Sequence, residues 1–152
     1  MLWVKLICVG KLKEKYFEAA CAEYIKRIEP MAKLEIAVLP EEAERPGGLQ
    51  REGERVLQQI PSGAFIVAMC VEGQALGSEG LAQRIEGLAA SGRSRLCFII
   101  GSSTGLAEKV KEAADLRLSM SAMTFPHHLA RVMVLEQIYR ALSINAGKKY
   151  HK

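Results

Sequence analysis

Two hydrophobic periods alternate along the chain. Leu2 to Val9 is a short apolar run that reads as a strand, and Glu14 to Glu29 then places Phe17, Cys21, Tyr24 and Ile28 on one helical face until Pro30 stops it. Leu34 to Leu39 reads as a second strand. Pro40 to Gly48 is charged and rich in helix breakers, which predicts a mobile loop facing substrate or solvent. Leu49 to Ile60 resumes a helix, weakened by Gly53. After the turn Pro61-Ser62-Gly63, Ala64 to Val71 is an unbroken apolar strand of the kind buried on both faces, ending in a loop at Glu72-Gly73. Ser78 is the expected N-cap of a helix through Ala90. A central strand then runs from Leu96 and breaks at Gly101, followed by a helix over Ala107 to Ala114 and a short strand over Leu116 to Met120. The loop Ser121 to Pro126 leads into a long helix, Pro126 to Asn145, with proline suited to its first turn. This alternation predicts an α/β fold, a mostly parallel sheet with helices on both faces.

The last helix breaks the amphipathic pattern. Val132, Met133, Val134 and Leu135 are consecutive, and with Leu129, Ile138, Tyr139 and Leu142 they leave almost no polar face. Such a helix is buried nearly all round, and in a small chain a second copy is the simplest cover, so the sequence predicts a homodimer through this helix. A chain of 152 residues with 49% hydrophobic content fits one domain, residues 1–152. The apolar start lacks a charged n-region and a cleavage site, and no run approaches the roughly 20 residues of a membrane span, so the expectation is a cytoplasmic protein. Cys8, Cys21, Cys70 and Cys97 lie in apolar runs without metal-ligand spacing, which predicts buried thiols and no metal. The net charge is +4, with basic residues at Lys11, Lys13 and Lys15, at Arg93 and Arg95, and in the tail at Lys148, Lys149 and Lys152. That balance is compatible with RNA and equally with a solvated surface.

The stretch Leu96 to Leu106, LCFIIGSSTGL, concentrates the candidate chemistry. A strand, a tight turn of small residues and a helix start place backbone N–H groups at the carboxyl end of a strand, where α/β sheets bind ligands. Gly101 to Gly105 matches G-x-S-x-G, and Asp115 and His127 or His128 follow in hydrolase order, giving a Ser103 hydrolase as one reading. The chain lacks an upstream HGG-type oxyanion loop. Neither the Walker A nor the G-x-G-x-x-G spacing is satisfied. A loop of small residues also permits an adenosyl cofactor held largely by backbone groups.

The ordered series FIIGSSTGL, LSMSAMTFPHHLARVMVLEQIYRA and terminal YHK resembles the family called ribosomal RNA large subunit methyltransferase H, small methyltransferases of the SPOUT class. The resemblance spans essentially the whole chain, including Val9-Gly10 and Val71-Glu72-Gly73. It implies S-adenosyl-L-methionine as cofactor, N3-methylation of a pseudouridine in 23S ribosomal RNA, a homodimer and a carboxyl-terminal trefoil knot. Position by position it also implies that Met69, the turn Gly101-Ser102, and the loop Ser121, Ala122, Met123, Thr124, Phe125 and Pro126 hold the cofactor. This chain has Ser102 where the family usually has a second glycine.

Methyl transfer to a ring nitrogen needs alignment and a group to accept a proton. His127, His128 and His151 are the three histidines, and two adjoin the cofactor loop. His127 is either a proton acceptor or a helix-start residue bonding its own turn. Tyr150 and His151 are the leading substrate contacts, the tyrosine suited to stacking on a base and the flanking lysines to phosphate. In the resembling family this tail closes over the site from the partner subunit. Arg131 is expected to face RNA or cofactor, and Glu136 and Arg140 to pair across one turn. A non-catalytic ribosome-binding factor is the remaining alternative. With no RRM or KH module in the sequence, recognition is expected to need assembled ribosomes rather than naked RNA.

Overall fold

The computed structural model describes residues 1–42 and 44–152; Ala43, within the expected 40–48 loop, lies outside the described residues. Among the described residues five strands alternate with five helices: β1 (Trp3–Val9), α1 (Lys15–Ile28), β2 (Lys33–Leu39), α2 (Gly48–Gln59), β3 (Phe65–Ala75), α3 (Ser78–Ala90), β4 (Arg95–Ile100), α4 (Glu108–Ala113), β5 (Leu116–Ser119) and α5 (His127–Asn145). The sheet order is β2-β1-β4-β3-β5, and every pairing is parallel.

The period of the strands sorts the core into two layers. Leu6, Phe98 and Val67 face one side, where Cys21 and Ile28 of α1, Leu81 and Ile85 of α3, and Leu135 and Ile138 of α5 cover them. Ile7, Ile99 and Ala68 face the other, against Val56 of α2 and Val110 of α4. Both faces are therefore closed by helices, three on one side and two on the other. Burial pushes the Cys8 and Cys97 thiols up to about 12, keeping them protonated packing groups.

Four details depart from the pattern read in the sequence. First, β3 does not end at Glu72-Gly73: Met69 and Gln74 both pair with Leu118, so residues 70–73 loop out and the strand resumes through Ala75. Glycine is required there, because a Cβ on Gly73 would stand 2.7 Å from the carbonyl carbon and oxygen of Arg117. Val71, on the looped segment, is 47% exposed, so burial on both faces stops short of it. Second, Ser78 is the first residue of α3 rather than its cap; Gly77 occupies the cap and the Ser78 hydroxyl donates to Gln137 Oε1 at 2.6 Å. Third, Gly53 serves packing, since a Cβ there would lie 2.6 Å from that of Ala107 where α2 meets α4. Fourth, much of the apolar excess on α5 is covered within the chain, with Val132 and Tyr139 half-buried against the core beside α1 and α3.

Candidate cofactor and active site

The carboxyl ends of β3, β4 and β5 converge on one cavity of about 790 Å³. Met69, Cys70, Val71 and Glu72 come from the looped segment of β3, Ile100 to Leu106 from the end of β4, and Met120, Ser121 and Met123 to His127 from the segment after β5. Lys111 closes one side by donating to Glu72 Oε1 at 2.5 Å, and this bond lowers the Glu72 carboxyl and raises the Lys111 ammonium. Of the residues expected to hold a cofactor, Met69, Gly101, Ser102, Ser121, Met123, Thr124, Phe125 and Pro126 line this cavity, while Ala122 belongs to the loop without facing it.

The β4 wall is a compressed turn. The Gly105 amide donates to Ser102 O at 2.9 Å, Gly105 has φ +86°, and a Cβ on Gly101 would collide with the Gly105 carbonyl. No L side chain fits at Gly101, so main chain alone forms this part of the wall. The β5 wall is braced by its own serines. Ser119 Oγ donates to Ser121 O at 2.9 Å, and the Met123 amide donates to Ser121 Oγ at 3.0 Å. Met123 itself is 74% exposed at the rim.

His127 opens α5 at the cavity wall, with Pro126 as its extended N-cap. Its Nε2 is buried and has no hydrogen-bond partner among the described residues. Burial lowers its pKa, reinforced by the neighbouring His128, so the ring is neutral at pH 7. The N-cap, Pro126, has no side chain able to cap, and His127 Nε2 bonds no group of its own turn.

Arg131 does not face the cavity. It is 4% exposed and Nη2 donates to the Gly10 carbonyl at 2.5 Å, so it anchors α5 to the end of β1, where Gly10 has φ +101°. The tail is also held away from the cavity in its own chain. Tyr150 donates its hydroxyl to Glu136 Oε2 at 2.7 Å, its ring lies under the Arg140 guanidinium, and Arg140 Nη1 lies 3.1 Å from His151 Nδ1. Burial alone would raise the Glu136 carboxyl, but the expected pairing with Arg140, at 2.8 Å, and the Tyr150 hydroxyl hold it below the usual range. Glu136 also lines a smaller cavity of about 370 Å³ between α3 and α5, which shares Met69, Leu118 and Met120 with the first.

The Ser103 hydrolase reading fails on geometry. Ser103 Oγ donates to Glu41 Oε1 at 3.0 Å, and Asp115 sits at the opposite edge of the sheet, accepting from the Ile66 amide at 2.8 Å at the start of β3. No triad assembles. Among the described residues no group of three or more His, Cys, Asp or Glu could hold a metal, and no helix is long and apolar enough to cross a membrane.

Two carboxylates at this wall, Glu41 and Glu52, escaped the reading of the sequence. Glu52 did carry a signal: on the helical wheel of Leu49 and Val56 it occupies a core-facing position, where a charge calls for an explanation.

Fold and site together define a parallel α/β protein that presents a small-molecule cavity at the carboxyl edge of its sheet. Residues 2–151 match the family described as "Predicted SPOUT methyltransferase". Curated relatives called ribosomal RNA large subunit methyltransferase H are 44% identical in Bacillus pumilus (strain SAFR-032) and in Alkaliphilus oremlandii (strain OhILAs), each over 98% of this chain and 99% of the relative. The relative of that name in Clostridioides difficile (strain 630) is 43% identical over the same shares. The chain therefore belongs to the SPOUT methyltransferases and, within them, to the ribosomal RNA large subunit methyltransferase H family. A solved structure of a probable methylase family protein from Haemophilus influenzae Rd KW20 has a TM-score of 0.57, covering 98% of this chain and 70% of that one at 10% identity, a likeness of fold.

Proposed function

We propose that this protein is an S-adenosyl-L-methionine-dependent methyltransferase of ribosomal RNA, acting on N3 of a pseudouridine in 23S RNA within assembled ribosomes. The observation that supports it most is the convergence of three strand-end segments, distant in sequence, on one cavity in a chain of this family. The residues fit the cofactor. Met69, Leu118 and Phe125 offer an apolar surface, the Gly101 turn admits close main-chain approach, and the buried His127 Nε2 is a polar atom without a hydrogen-bond partner among the described residues. Met69, Gly101-Ser102 and the loop Ser121 to Pro126 would hold the cofactor, with Ala122 contributing through the loop's main chain.

When bound, the cofactor supplies an electrophilic methyl group. The chain's own part is to align the acceptor, exclude water and take the N3 proton. His127, kept neutral by burial, is the proton acceptor we favour. In a homodimer formed through α5, the partner's tail would bring a second Tyr150 and His151 to the cavity. We also read the carboxyl-terminal segment as a trefoil knot, as the family resemblance implies.

Transfer of labelled methyl from S-adenosyl-L-methionine to ribosomes of cells lacking this gene, followed by mapping, tests the proposal. Label on an N3-methylated pseudouridine of 23S RNA is expected. Equal labelling of a short RNA hairpin would refute the need for ribosomes. Cofactor binding without labelling would move the substrate elsewhere, and salt-sensitive ribosome binding with neither cofactor binding nor labelling would favour the non-catalytic factor.

A further inference from the structure

We propose that Glu52 is the positioning residue of the cofactor wall, fixing the Gly101–Gly105 turn and locking it to the segment after β2. This rests on reading the larger cavity as the cofactor site.

Glu52 is 2% exposed, on the face of α2 that packs into the fold. Among the described residues no lysine, arginine or histidine forms an ion pair with it. Its oxygens instead accept from two neutral donors: Oε1 from the Ser102 hydroxyl at 3.0 Å, and Oε2 from the Glu42 amide at 2.5 Å. Burying a carboxylate without a cation is costly, and an apolar side chain would fill that face at lower cost. What the carboxylate contributes is two acceptors at one point, joining two segments that also meet where Ser103 donates to Glu41.

The direction of the hydrogen bonds follows. Ser102 has a single hydroxyl proton, and it is donated to Glu52 Oε1. Thr104, whose hydroxyl lies 3.1 Å from that of Ser102, must then be the donor in that contact. Ser103 donates both its amide, at 3.3 Å, and its hydroxyl, at 3.0 Å, to Glu41 Oε1. All three hydroxyls of the turn are thereby committed to protein partners, and the turn meets a ligand through its main chain. Arg51 and Arg55 of α2 hold the Glu42 side chain, so one helix carries both segments.

The test is S-adenosyl-L-methionine affinity by titration calorimetry on the full-length protein, with thermal melts, for S102A, E52Q and the double variant. Glutamine matches glutamate in shape but has one acceptor oxygen, so it cannot serve both donors. Each single variant is expected to weaken binding by about tenfold, with the double variant no weaker than the worse single. In methyl transfer by E52Q the KM for the cofactor rises and kcat at saturation holds. Additive losses, unchanged affinity or losses that merely follow melting temperature would overturn the proposal. If E52Q does not fold, unchanged affinity in S102A suffices to overturn it. Wild-type protein that fails to bind the cofactor would remove the reading of the cavity as well, whereas binding unaffected by either variant removes Glu52 alone.

Discussion

His127 is an ionisable group at the wall of the larger cavity whose Nε2 has no hydrogen-bond partner among the described residues, and its protonation state is measurable in two ways. Its pKa lies below the ordinary 6.5, chiefly through burial, so the neutral, proton-accepting form persists to lower pH than an exposed histidine would allow. The acid limb of kcat should therefore fall below the usual histidine range. Stability carries the same sign: the unfolded chain binds this proton more readily, so the contribution present above pH 6.5 is lost as pH falls through the depressed folded value. His127→Gln should lower kcat by about 10²- to 10⁴-fold while cofactor titration still shows binding. A variant retaining wild-type kcat would exclude His127 as the base. At Gly101, where a Cβ meets the Gly105 carbonyl, Gly101→Ala should abolish cofactor binding in the same titration while the melt stays cooperative.

At the scale of elements, the α2–α4 contact sets two effects against each other. Gly53→Ala gains up to about 1 kcal/mol of helix propensity. The added methyl, 2.6 Å from Ala107 Cβ, costs about 1–3 kcal/mol of overpacking, so net destabilisation is expected in thermal melts. On α5, Glu136 holds both Arg140 and Tyr150, and Glu136→Gln removes the charge from both bonds. That should release the tail and raise amide exchange over residues 148–152. The wild-type tail should loosen as pH falls through the lowered folded pKa of Glu136. The elements themselves were legible because each carries its own period and breakers, as Pro30 and Pro126 illustrate. The return of β3 past Gly73 was not, since the need for glycine there comes from Arg117, far along the chain. Arg131 misled for a related reason: a cation on an apolar helix suggests a ligand, but its partner is a main-chain carbonyl that only the fold reveals.

For the whole molecule, the half-buried Val132 and Tyr139 leave α5 with apolar surface that a second copy would cover. Sedimentation equilibrium should give twice the chain mass of 16.7 kDa, and a monomer at micromolar concentration would exclude the dimer. The exposed Lys11, Lys13 and Lys15 follow β1 on the same edge of the sheet as the cavity. Replacing all three with alanine should weaken ribosome binding and flatten its salt dependence by about three in the log–log slope. Sequence marked these lysines as basic but could not say which edge they share with the site. The Gly101–Gly105 turn could be read from a strand end, whereas Met69 and the 121–126 loop came through the family resemblance; of the carboxylates behind them Glu52 left a trace as a charge on a core-facing helix position, but the hydroxyl and amide partners of both are brought together only by the sheet order.

The looping out of residues 70–73 has a consequence in time. One wall of the cavity begins at Met69 and another ends at Ala130, and the closing pairing of Gln74 and Ala75 must wait for Leu118 and Ser119. A growing chain can thus complete β1 and β2 early, yet it owns no cavity until almost its last helix has emerged. The cavity wall is complete only once the start of α5 is in place.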